Sequence, residues 1–160
     1  MLRRLFAAVL GVVAAVGGQG STSAQQRTPG EVEILSKADA LRLFGLTKQQ
    51  WLQEVKTAVA AGLAIQTPTT SPFIGMSLTT ADGDLLTVRL DYSQGDARPA
   101  FIQVAVGYRP HRAGLFTDRV LQDVIAATKR QMAPEFEVIG NADGIEGGVG
   151  LYFMIVDRRR

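Results

Sequence analysis

Tyr108-Arg109-Pro110-His111-Arg112-Ala113-Gly114 gathers two arginines, a tyrosine and the only histidine of this 160-residue chain into one short loop. Paired guanidinium groups can fork onto a carboxylate or phosphate, and a tyrosine adds an apolar rim with a polar tip. Pro110 fixes one backbone angle, which lowers the entropy lost when such a loop engages a ligand. The expected ligand contacts are therefore Tyr108, Arg109, His111 and Arg112, and their natural complement is a small anionic molecule.

Catalytic readings are weaker. A Ser-His-Asp relay needs an activated serine, yet no Gly-x-Ser-x-Gly elbow occurs and Ser77 lies inside a strand-like alternation. His111 as a base or metal ligand would need carboxylates gathered from elsewhere in the fold. The absence of cysteine excludes disulfides, thiolate zinc sites and a catalytic thiol. Gly144, Gly147, Gly148 and Gly150 are not a phosphate loop, because no Lys-Ser/Thr and no helix follow them. They read as a glycine-rich hairpin or bulge before a strand. Asp82/Asp84 and Asn141/Asp143/Glu146 lack the order of a calcium loop and read as turn formers. No catalytic residue, metal site or cofactor is expected.

The stretch from Ala40 through Gly45 and Thr47-Lys48-Gln49-Gln50-Trp51 to Leu63 resembles a helix-turn-helix over about 25 residues. Charge opposes a DNA-reading role. Arg3 and Arg4, the apolar run Leu5–Gly18 and the small residues Thr22-Ser23-Ala24 have the order of a secretory signal peptide, with cleavage expected after Ala24. The run is shorter than the roughly 20 residues that span a bilayer as a helix, so no stable membrane anchor is expected after cleavage. Without Arg3 and Arg4 the 17 basic residues become 15, equal to the 15 acidic ones. Three of those bases are Arg158-Arg159-Arg160, so the body of the domain is slightly acidic and no nucleic-acid partner is expected. Trp51 also falls where a reading helix wants polar side chains, and a helical hairpin suffices to explain the pattern.

The elements that must hold the loop follow from periodicity. Residues 25–35 read as a flexible lead-in. Ser36, with Asp39 three residues on, starts a helix over Ser36–Phe44 that Gly45 ends as a C′ residue. Thr47 and Gln50 form a second capping box, and Trp51, Leu52, Val55, Val59 and Leu63 recur at helical spacing over Lys48–Ala61, with Gly62 near the stop. Alternation then predicts three strands: one with Ile74, Met76 and Leu78 inward, one with Leu86, Val88, Leu90 and Tyr92, and Phe101–Tyr108. Their turn-sized links make an antiparallel meander. Thr117 caps a long helix, Asp118–Met132, that Pro134 closes. Strands Glu135–Gly140 and Val149–Val156 complete the chain. The last is apolar on both faces and is expected to be central and covered on both sides. Trp51 and the Phe44/Phe116 pair are expected in the core.

The expected fold is α+β, in the order ααβββαββ, with helices packed on one antiparallel sheet. At 46% apolar residues the chain can fill one real core, which places residues 36–160 in a single domain with a basic C-terminal tail. The expected function is non-catalytic binding of a partner or small ligand by an exported protein, periplasmic or secreted. One alternative is a small periplasmic hydrolase or isomerase using His111 with scattered carboxylates. Another is an envelope structural or assembly factor that engages another envelope protein through a sheet edge or the arginine tail. A deep cavity at His111 would favour the enzyme, and a shallow apolar groove the binding module.

Overall fold

The structure, a computed structural model, describes residues 35–68, 72–79, 83–108, 117–145 and 148–159. The expected signal peptide, most of the lead-in and the loop from Arg109 to Phe116 lie outside the described residues, as do Asp82, Glu146, Gly147 and Arg160. Leu35, at the end of the lead-in, is already buried in the core.

Two helices open the domain, α1 (Lys37–Phe44) and α2 (Lys48–Ala60). Ser36 caps α1 by accepting the Asp39 N–H at 3.1 Å, while its hydroxyl donates to the Asp39 carboxylate. Thr47 and Gln50 close a full capping box on α2, each side chain bonding the other's backbone N–H. Gly45 differs from expectation. It is the C-cap of α1 in right-handed conformation, with φ −83°, and does not provide a left-handed C′ turn. Gly62 does. At φ +69° it donates to the Val59 carbonyl at 2.9 Å, and Leu63 donates to Ala58 at 3.0 Å, which is the paired Schellman closure of α2.

Six strands follow: β1 (Ile65–Gln66), β2 (Phe73–Thr79), β3 (Leu85–Asp91), β4 (Phe101–Tyr108), β5 (Phe136–Ile145) and β6 (Gly148–Asp157). The third helix, α3 (Asp118–Met132), lies between β4 and β5, capped by Thr117 as expected. All pairings are antiparallel, in the order β1-β2-β3-β4-β6-β5. The fold is thus α+β with helices on one antiparallel sheet, and its order gains a short strand, β1, before the expected meander. β5 also runs five residues beyond the expected Gly140, because Asn141 to Ile145 pair with Tyr152 to Gly148. Pairing with a central strand outweighs the local turn preference of Asn-Ala-Asp-Gly.

Register places three apolar rows on one face of the sheet. Ile74, Leu90, Ile102, Ile155 and Val138 form the first, and Met76, Val88, Val104 and Phe153 the second, which ends on Gly140. Leu78, Leu86, Val106 and Leu151 form the third, which ends on Ala142. All but Gly140 and Ala142 are buried. The helices cover these rows: Trp51, Val55 and Ala58 from α2, and Leu121, Val124 and Ile125 from α3, join the same core. Phe44 stacks on Phe136 with ring centroids 5.4 Å apart, tying α1 to β5. The Trp51 indole N–H donates to the Ile74 carbonyl at 2.7 Å, so its one polar group is satisfied within the core.

The arginine tail is tied to the body. Arg159 forks onto Asp157 and lies over the Phe136 ring, and Arg158 pairs with Glu137 at 3.5 Å. Lys37 reaches from α1 to Glu135, and that bond, more than any other influence, holds the Glu135 carboxyl below its ordinary value.

Candidate functional site

The alternate positions of the same strands make the second face, and no described helix packs on it. This corrects the expectation for the last strand. β6 is central, flanked by β4 and β5, but Tyr152, Met154 and Val156 on its outer side are only half-buried. Among the described residues, the three helices lie on one side and none covers the other.

Register arranges the open face in rows as well. Phe73, Asp91, Phe101 and Val156 form one, with Glu137 at the edge. The two phenyl rings meet edge to face at 5.9 Å, flanking Asp91 on its two neighbouring strands. Asp91 is buried, and its carboxylate accepts the Ser93 N–H at 2.6 Å. The next row is Gly75, Arg89, Gln103, Met154 and Ile139. The row beyond is Ser77, Thr87, Ala105, Tyr152 and Asn141, with Ser77 and Thr87 hydrogen-bonded at 2.8 Å. Leu85, Gly107 and Gly150 follow in register.

Two features of this face bear on chemistry. One is a shallow groove of about 350 Å³, lined on the open side by Leu85, Thr87, Ala105, Gly107, Gly150 and Tyr152. Gly107 and Gly150 are direct register partners, so two missing side chains leave a hollow between Leu85 and Tyr152. The other is Arg89. Its stem lies against Gly75, where a Cβ would come 2.5 Å from Arg89 Cγ. Its Nε is buried and without a hydrogen-bond partner, and no described acid pairs with its guanidinium. Burial raises the Tyr152 phenol above its ordinary value, with the charge of Arg89 acting in the opposite direction. Tyr152 therefore stays protonated, and able to donate, across the physiological range.

The loop singled out by sequence begins at the same end of β4. Tyr108, its first member, is buried on the helix-bearing side of the sheet. Arg109, His111 and Arg112 lie outside the described residues. The remaining readings resolve more simply. Trp51, Val55 and Ala58 of the helix-turn-helix-like segment are turned into the core. Asp84 is buried, and among the described residues no group of three His, Cys, Asp or Glu side chains is placed to hold a metal. A second hollow, between Thr47, Lys48, Leu52 and Asp96, has its two charges bonded to each other at 3.0 Å.

Arg89, Gln103, Met154 and Tyr152 were not among the expected contacts. The alternation that marks Leu86, Val88 and Leu90 as inward also marks Arg89 as outward, which was the available signal. No protein-family model, curated protein or solved structure matches this chain.

Proposed function

We propose that this chain is an exported, non-catalytic binding protein that takes a small ligand on the helix-free face of its sheet. The observation that carries the reading is the uncovered face itself, with its aromatic and aliphatic side chains and a shallow groove between Leu85 and Tyr152. Pockets for small ligands are mostly apolar with a few placed polar groups, and this groove has that composition. We retain Arg109, His111 and Arg112, in the segment that follows Tyr108 in the chain, as further candidate ligand contacts.

The test uses the neutral fluorescent probe N-phenyl-1-naphthylamine on the full chain. Saturable binding is expected, and Ala105→Leu is expected to remove it, because the added side chain fills the groove from a half-buried open-face position. Ala105→Leu keeps the core rows intact, so its thermal melting should stay near that of the parent. Non-saturable binding, or unchanged binding by Ala105→Leu, would remove the basis of this reading. Export rests on the order of regions in residues 1–24. Intact-mass analysis of protein recovered outside the cytoplasm is expected to start at or near Gln25, and a mass retaining Met1 would count against export.

A further inference from the structure

We infer that the ligand of this face is a single-chain amphiphile with one carboxylate head, held by Arg89 and Gln103 with its apolar body lying in the groove toward Gly107 and Gly150. The inference rests on the proposed reading of the face and adds to it the chemical class of the ligand.

Charge complementarity carries the argument. Among the described residues of the open face, Arg89 is the cation without an ion pair, since Arg158 is bonded to Glu137. The acid two residues along β3, Asp91, is committed to the Ser93 N–H. The Arg89 guanidinium has no anion among the described residues, its Nε is buried, and a carboxylate matches the fork of its two terminal nitrogens with two parallel bonds. Gln103 sits directly opposite Arg89 in register, so its amide can serve the same head group. Gly75 makes the arrangement possible by letting the Arg89 stem lie flat on β2, which limits the rotamer freedom lost on binding.

Position relative to the groove supplies the rest of the ligand. From the Arg89 row to the Leu85 row is four residues, or about 14 Å of strand. Thr87, Ala105 and Tyr152 lie between, and the glycine pair forms the far end. A charged head at one end and an apolar floor beyond it describe an amphiphile of roughly that length. Other occupants fit less well. A second copy stacked face to face around Arg89 would bring two unpaired guanidinium groups together, which like-charge repulsion opposes. An anionic bilayer is attracted by clusters of cations, not by one.

The experiment displaces N-phenyl-1-naphthylamine from the full chain with decanoate and with decanol, each below its micelle or solubility limit. Decanoate is expected to displace the probe at a concentration lower than decanol by about tenfold or more. Arg89→Gln is expected to abolish that advantage, and a thermal melting temperature near that of the parent shows that the variant folds. Arg89→Lys should retain part of the advantage, because the charge remains but the fork is lost. If the probe binds but decanoate and decanol are equal, or Arg89→Gln keeps the full preference, the carboxylate assignment is overturned and the binding face stands. If the probe does not bind at all, the reading of the face fails first. Co-sedimentation with phosphatidylglycerol vesicles that persists in Arg89→Gln would also overturn the inference, in favour of a membrane surface.

Discussion

Trp51→Ala is expected to lower the free energy of unfolding by about 3–5 kcal/mol. The indole is among the largest fully buried side chains of the domain, and it connects two layers at once. Its ring packs within the core from α2, and its N–H ends on the Ile74 carbonyl of β2 at 2.7 Å. Truncation leaves a cavity where helix and sheet meet and removes the hydrogen bond from α2 to that carbonyl. Trp51→Phe largely separates the two effects, since it keeps most of the apolar volume and loses the hydrogen bond together with a small part of the ring. That variant should cost about 1–3 kcal/mol. Urea denaturation of both variants, with slopes compared to confirm that the folded state is the same, measures each step. A loss below about 1 kcal/mol for Trp51→Ala would mean that the indole does not seat the helical hairpin.

Where the chain's own local chemistry ends an element, its position is readable. α3 runs over Asp118–Met132 as expected, because Thr117 caps one end and Pro134 follows the other. β4 matches at Phe101–Tyr108, since its alternation is unbroken. Where tertiary pairing decides, local reading fails. Asn141-Ala142-Asp143-Gly144 has the composition of a turn, yet it forms the outer half of β5 because β6 lies alongside. β1 has two residues, one of them largely exposed Ile65, and no periodicity can be seen in so short a piece. β6 shows a subtler failure. Apolar side chains on both of its faces correctly indicate a central strand, but they do not distinguish a face covered by helices from one left half-buried. Among the described residues, three helices lie over one side of the six strands, and on the other side Tyr152, Met154, Val156 and Arg89 stay half-buried. Clustered charges point in sequence to the loop with Arg109, His111 and Arg112, which lies outside the described residues. The groove and its arginine come from residues far apart in sequence that only strand register brings together.

Gly75→Ala is expected to cost about 2–3 kcal/mol, toward the upper end of what added volume does in a packed site. Conformational freedom is not the reason, because Gly75 is not among the glycines with positive φ. The obstruction is the neighbouring strand. A Cβ at Gly75 would collide with the Val88 carbonyl oxygen and lie 2.5 Å from Arg89 Cγ and 3.0 Å from Arg89 Cα. Two of these three atoms are backbone of β3, so no change of rotamer relieves them and the strands themselves must part. Gly140→Ala provides the contrast. There the obstructing atoms are side chains, Ile125 Cγ2 at 2.9 Å and the Phe153 ring at 3.0 Å, and a small shift of α3 can absorb the methyl group. That substitution should cost nearer 1 kcal/mol. Adding Arg89→Ala to Gly75→Ala removes Cγ but not the backbone contacts, so it should restore less than half of the lost stability. Urea midpoints of the two glycine variants and the double variant decide the matter. A larger loss at Gly140 than at Gly75, or full recovery in the double variant, would show that the strand backbones are not in the close contact described here. The expected order ties stability to the proposed site: the close approach of β2 and β3 that excludes a side chain at Gly75 also lays the Arg89 stem flat on the open face.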